Sequence, residues 1–425
     1  MCKKIFALCL AAIMVCSIFA LAGCKGGDTT NTTDATKSTD GGDATVDYSK
    51  IKIGFIFLHD DKSTYDLNFM NAAKAAQEKL GLSDDQVIII KNVPEGNECL
   101  DAAKDLVDQG CKVIFADSFG HESFMIQAAK TYPEVMFCHA TGTKAHTENL
   151  PNYFNAFASI YEGRYLAGVA AGLKLNELKE AGKLKGDAPK MGYVGAFPYA
   201  EVISGYTAFY LGAKSVCPNV VMDVTFTGKW YDVTAEQQAA EKLINVQKCD
   251  LISQHADSMG APGACESAGV PNVSYNGSTE TACPNTFIIS SRIDWQPYFE
   301  LIIKAVKDND GKIPVDYTGT LSTGSVALTA IGKKAPAAGT QAKLDEVKAK
   351  LESGEIKVFD TNAFTVGGEK ITTFMADVDD LGDYQGDTEA VKDGYFHESE
   401  YRSAPYFTLE IDGITLLDRG PKTEN

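Results

Sequence analysis

Outside residues 5–20 the 425-residue chain has no apolar run long enough to cross a bilayer, which excludes a polytopic membrane protein. It has no block of lysine and arginine. With 39 basic against 57 acidic residues and a formal net charge of −18, it lacks the cationic surface that nucleic acid requires. There is no CxxC pair and no His/Cys cluster with metal-ligand spacing, so neither a zinc site nor a resident metal is expected. No GxSxG, HExxH, P-loop or GxGxxG turn occurs, so serine-nucleophile, zincin, nucleotide-hydrolysing and dinucleotide-dependent chemistries are without a motif, and no cofactor is expected. His255 and Asp257, two residues apart, imitate an acid/base pair but have no nucleophile or metal cluster beside them. A non-enzymatic role is the reading. Tryptophan is scarce as well: there are two, Trp230 and Trp295.

What is present begins at the N-terminus. Lys3 and Lys4 precede the apolar stretch Ile5–Ala20, and Leu21-Ala22-Gly23-Cys24 follows, the layout of a secretory signal peptide. Its LAGC ending resembles the bacterial lipobox. That resemblance implies a signal peptide over 1–23, cleavage before Cys24, diacylglycerol on the Cys24 sulfur with palmitate-type acyl chains, and attachment to the cell membrane facing outside the cytoplasm. Residues 24–49, rich in Thr, Asp, Gly and Ser, cannot bury enough surface to order themselves and are expected to be a flexible spacer. Of eleven cysteines, Cys2, Cys9 and Cys16 precede the anchor and seven lie in the body (Cys99, Cys111, Cys138, Cys217, Cys249, Cys265 and Cys283). They are odd in number and scattered, and so point to no disulfide framework.

From Ile51 short continuous apolar runs alternate with helical stripes: IKIGFIFL (51–58), VIII (87–90), KVIFA (112–116) and VMFCH (135–139) are each expected as strands. The rhythm restarts after Asn155, with a helix over 161–174, then KMGYVGAF (190–197), VVMDVTF (220–226), CDLISQ (249–254), PNVSYN (271–276) and TFIISSRID (286–294) interleaved with helices. Runs that are continuous rather than alternating belong to strands covered on both faces. The fold class is therefore α/β: two doubly wound parallel-sheet lobes joined by a hinge, a ligand-binding clamshell.

Ligands of open α/β sheets bind beyond the carboxyl ends of the strands. The loops there, 59–65, 117–121, 197–199, 229–232, 254–258 and 276–278, place aromatics beside small polar and acidic groups. That mixture suits a flat polar heterocycle held between rings, with hydrogen bonds at its edges. The candidate ligand residues are Tyr65, Asp117, Phe119, Phe197, Trp230, Asp257, Asn276 and Trp295. Rival readings stand beside several of them. Asp60, Asp117 and Ser258 also read as helix N-caps, Phe119 and Phe197 as core, and Trp295 as packing beneath the hinge.

NVPEG (92–96), IFADSFGH (114–121), YEGRYLAGVAAG (161–172), GYVGAFPYAEVISGYTAFYLGAKSVCPN (192–219), KWYD (229–232), ISQHADS (252–258) and SEYRSAPYFTLEIDGI (399–414) together resemble the basic membrane protein family of substrate-binding lipoproteins that serve ABC transporters. The resemblance implies the type I periplasmic-binding fold, with residues 50–157 and 288–315 in the first lobe and 158–287 and 316–425 in the second. It also implies a monomer whose partners are an ABC permease and ATPase, and a purine base or nucleoside bound by hinge closure. Asp117 and Asp257 would accept hydrogen bonds from an exocyclic amine, while Trp230, Phe119 or Phe197 would stack. Family members that bind nucleosides hold ribose with an Asp and a Lys. Here the corresponding stretches read YNGS (275–278) and SSRID (290–294), which favours a free base. A sugar, a thiamine-like heterocycle and a non-transport sensory role remain as alternatives.

Overall fold

The computed structural model describes residues 50–308, 312–378 and 387–419; the signal peptide, Cys24 and the spacer lie outside the described residues. The first run of elements is β1 (Ile53–Ile56), α1 (Thr64–Leu80), β2 (Val87–Ile90), α2 (Asn97–Asp108), β3 (Val113–Ala116), α3 (Glu122–Thr131), β4 (Met136–Ala140), α4 (Ala145–Glu148) and β5 (Tyr153–Ala158). The second is α5 (Ile160–Glu180), β6 (Lys190–Gly195), α6 (Ala200–Val216), β7 (Val221–Phe226), α7 (Val233–Asn245), β8 (Leu251–His255), α8 (Gly260–Ala268), β9 (Asn272–Tyr275) and β10 (Phe287–Ile293). Then come α9 (Gln296–Asp308), β11 (Asp316–Gly319), β12 (Val326–Leu328) and α10 (Thr340–Glu352).

Two sheets result. The first, ordered β11-β5-β4-β3-β1-β2, is parallel throughout. The second, ordered β12-β10-β9-β8-β6-β7 and closed by the strand Ile414–Leu416, has one antiparallel pair, β10 with β12. Every residue of β1, β3, β5 and β8 is buried, as strands with helices on both faces must be, and β1 and β3 are free of polar side chains throughout. The expected α/β two-lobed class is the observed one.

The expected lobe boundaries are corrected at the hinge. Residues 288–293 stay in the second sheet as part of β10, and β11, assigned to the second lobe, completes the first sheet. The chain therefore crosses after Ala158, around Asp294 and after Gly319. β5 was not anticipated as a strand because Asn155 interrupts its apolar run; inside, the Asn155 amide N–H donates to Glu122 Oε1 at 3.2 Å. The tail beyond 330, obscure in pattern, packs on the second lobe through α10 against α5 and through Ile414–Leu416 beside β7.

Helices α5 and α6 cross so closely that each needs glycine. A Cβ on Gly168 would lie 2.0 Å from the Phe209 carbonyl, and one on Gly212 would lie 2.0 Å from that of Tyr165. The seven body cysteines are buried and unpaired. No described helix is long and apolar enough to cross a membrane.

A candidate ligand site between the lobes

A cavity opens where the carboxyl ends of both sheets face each other. Leu58, Tyr65, Ser118, Phe119 and Thr141 line it from the first lobe, and Glu201, Trp230, His255, Asp257 and Tyr275 from the second. The lobes touch around it. Thr64, in the first turn of α1, donates its backbone N–H to the Asp257 carbonyl at 3.0 Å, while Asp257 N–H donates to the Trp230 carbonyl at 2.9 Å. Phe119 stacks on Tyr199 of the other lobe with centroids 5.4 Å apart, and His59 lies 5.4 Å from Tyr231.

Four of the eight predicted residues, Tyr65, Phe119, Trp230 and Asp257, line this cavity. The KWYD turn divides its labour. Trp230 faces the cavity, and Asp232 caps α7 by accepting from Ala235 N–H at 2.9 Å. Lys229 pairs with Asp232 at 2.8 Å. Asp257 is 5% exposed, and among the described residues its carboxyl meets no hydrogen-bond donor. Burial, reinforced by the charges of Asp66, Glu236 and Glu201, pushes that carboxyl well above the usual range. A buried carboxyl without a partner is costly until a ligand supplies one.

The other four are elsewhere. Asp117 is fully buried behind the wall; its Oδ1 accepts from Leu58 N–H at 3.1 Å, and its backbone carbonyl, not its carboxyl, takes the Tyr65 hydroxyl at 2.7 Å. Burial and neighbouring Asp66 hold the Asp117 carboxyl well above its ordinary pKa. Phe197 supports the site from outside, stacked on Tyr199 at 5.0 Å and edge-on to Trp230 at 5.4 Å. Asn276 turns away at a left-handed φ of 62° and lines a separate groove with Thr64, Arg292 and Asp294. Trp295 is 1% exposed and stacks on Phe69 at 4.6 Å inside the first lobe.

Leu58, Ser118, Thr141, Glu201, His255 and Tyr275 were not predicted as ligand residues. His255, set aside as a catalytic mimic, instead lies 3.2 Å through Nε2 from Glu201 Oε1. Burial depresses the His255 pKa; the Glu201 bond opposes that and the Arg164 charge adds to it. The ring is therefore neutral, with its proton on Nε2 facing the carboxylate. Beneath, the Arg164 guanidinium sits 3.6 Å from the centre of the Tyr275 ring, fixing the plane of that ring. Among the described residues, no group of three or more His, Cys, Asp or Glu is arranged to hold a metal ion.

Two doubly wound lobes closing on a partly apolar cavity define a two-lobed solute-binding protein. The chain belongs to the Bmp family, described as PnrA-like ABC transporter substrate-binding proteins, which matches residues 55–360. These are binding proteins of importers, not enzymes, and each hands a small ligand to a permease and ATPase complex. A purine-binding protein of Brucella abortus is 32% identical over 313 residues, 73% of this chain and 83% of the relative. A Haloferax volcanii protein named "Putative ABC transporter glucose-binding protein" is 31% identical over 255 residues, covering 59% of this chain and 60% of that one. The crystal structure of an ABC solute-binding protein from Aeropyrum pernix superposes with a TM-score of 0.61 at 19% identity, over 73% of this chain and 93% of that one, a likeness of fold alone.

Proposed function

We propose that this protein captures a purine, a free base in preference to a nucleoside, for an ABC permease and ATPase, and that it does so as a lipoprotein held at the outer face of the cell membrane through Cys24. The observation that carries the ligand reading is the pairing of half-buried rings from both lobes, Phe119 and Trp230, with an unpartnered Asp257 carboxyl in the cavity between them. Flat rings suit flat faces, and the carboxyl suits an N–H edge. No lysine or arginine lines the cavity, so a phosphorylated ligand would find no counter-charge. The relative from Brucella abortus, named for purine binding, supports the same ligand; the Haloferax volcanii relative makes a sugar the competitor.

In operation, a purine entering the open cleft contacts both lobes, and its greater affinity for the closed form shifts the population toward closure. A panel of purine bases, nucleosides, glucose and thiamine, read by thermal shift and calorimetry, tests this. Bases are expected to raise the melting temperature and to bind at micromolar Kd or tighter, about −8 kcal/mol. A shift with glucose and none with any purine overturns the ligand assignment.

The anchor has its own test. Cys24→Ala is expected to move the protein from the membrane fraction to the soluble one with ligand affinity unchanged, because acyl chains contribute about 0.8 kcal/mol per buried CH₂ and no described helix is long and apolar enough to cross a membrane. Retention of the variant at the membrane would remove lipidation at Cys24.

A further inference from the structure

The hydrogen-bonding character of the cavity is one-sided. Tyr65 already donates its hydroxyl proton to the Asp117 carbonyl at 2.7 Å, Ser118 donates to Glu95 Oε1 at 2.5 Å, and Thr141 donates to the Ala140 carbonyl at 2.5 Å. Each of these three hydroxyls is left with lone pairs alone to offer a ligand. His255 commits its one ring proton to Glu201. Glu201 offers an oxygen with no other partner and Asp257 a carboxyl that accepts through its C=O; they stand in the first turn of α6, after β6, and just past the end of β8, neighbouring strands of the second sheet. Besides the Asp257 carboxyl in its protonated form, the side-chain donors left around the cavity are the Trp230 indole and the Tyr275 hydroxyl.

We propose that Glu201 is the specificity-determining acceptor of this site: with one oxygen held by His255 and the other free for the ligand, it joins Asp257 in selecting purines that carry an exocyclic amino group over oxopurines that present a carbonyl there. The inference rests on the purine reading above and deepens it. Glu201 stands in the first turn of α6, where the helix N-terminus steadies its charge. The His255 bond fixes its rotamer, and Gly205, one turn on, leaves the His255 ring its place: a Cβ there would come within 3.0 Å of Nδ1. Among the described residues Glu201 has no other hydrogen-bond partner. An amino group meeting this wall satisfies the free Glu201 oxygen, whereas a carbonyl leaves it unpaired and repels it. Sites built to bond an N–H reject the analogue lacking it far more strongly than apolar pockets reject a missing methylene.

The test is a comparison of Kd values for adenine, 2,6-diaminopurine and hypoxanthine, by calorimetry, on the wild-type protein and on Glu201→Gln, whose amide keeps the shape and turns an N–H toward the ligand. The wild type is expected to favour the aminopurines by about thirtyfold or more. Glu201→Gln is expected to weaken adenine by a similar factor while hypoxanthine changes less than threefold, so that the preference collapses. His255→Phe, which removes the donor but not the carboxylate, is expected to narrow the preference partially. If Glu201→Gln keeps the wild-type preference, or weakens all three ligands equally, Glu201 is structural and the inference fails while the purine reading stands. If no purine binds the wild type, both fail together.

Discussion

Trp230→Ala is expected to weaken purine binding by about a hundredfold. Stacking of a base on an aromatic ring is worth ~1–3 kcal/mol by alanine substitution, and about 1.4 kcal/mol is tenfold in affinity. Trp230 belongs at the upper end of that range. Its ring is braced edge-on by Phe197 at 5.4 Å and by Tyr199 at 6.0 Å, so it is pre-ordered for the ligand. Its carbonyl also receives the Asp257 N–H, which couples ring and carboxyl through one loop. Because the ring is only half-buried, the unliganded protein should lose little stability, with a melting temperature within about 3 °C of wild type. Trp230→Phe should recover most of the affinity, to within about tenfold. Calorimetry on the three proteins checks this. Unchanged affinity in the alanine variant would take Trp230 out of the site.

How far the sequence reveals the site depends on which property of a residue places it. Trp230, Phe119, Tyr65 and Asp257 were legible because the strand-end rule needs only the approximate position of a strand and the chemistry of the loop after it. Single-residue register was not legible. Asp117 and Ser118 are neighbours after β3, and extended backbone sends neighbouring side chains to opposite sides. Ser118 faces the cavity while Asp117 faces Leu58 and Asp66, and nothing in ADSFG says which does which. The same holds after β9, where Tyr275 enters the site and Asn276, in left-handed backbone, leaves it. Glu201 was hidden for a different reason: an acidic residue in the first turn of a helix has a sufficient local explanation in the helix dipole. Only its distance to His255, 54 residues away in sequence, shows the second role. The alternation of strands and helices, by contrast, gave both sheets nearly complete. It failed where a buried polar residue, Asn155, broke an apolar run, and at the hinge, where β10 and β11 exchange lobes.

Trp295→Ala separates a core role from a ligand role for the second tryptophan, and it is expected to cost stability rather than affinity. The ring leaves the end of β10 and inserts into the first lobe, stacked on Phe69 at 4.6 Å and tilted against Phe115 at 5.8 Å, with Phe157 and Tyr298 at 6.4 and 6.3 Å. It thereby pins the crossing that Asn68 secures with a 2.6 Å bond to the Ile293 carbonyl. Removing a fully buried Trp costs about 3–5 kcal/mol, from lost transfer energy plus the cavity that remains. For a domain of this size that is a fall in melting temperature on the order of 5–10 °C. Below the transition, purine affinity should change less than about threefold, since the cavity wall is built by Phe119 and Trp230 and not by Trp295. Trp295→Phe, which keeps a ring against Phe69, should recover about half of the lost stability. The opposite pattern, a melting temperature unchanged and affinity reduced as in Trp230→Ala, would place Trp295 at the ligand after all. Because the ring anchors the crossing strand, a looser anchor should appear first as faster hydrogen exchange at Asp294–Gln296 and in α9, before any change at the cavity.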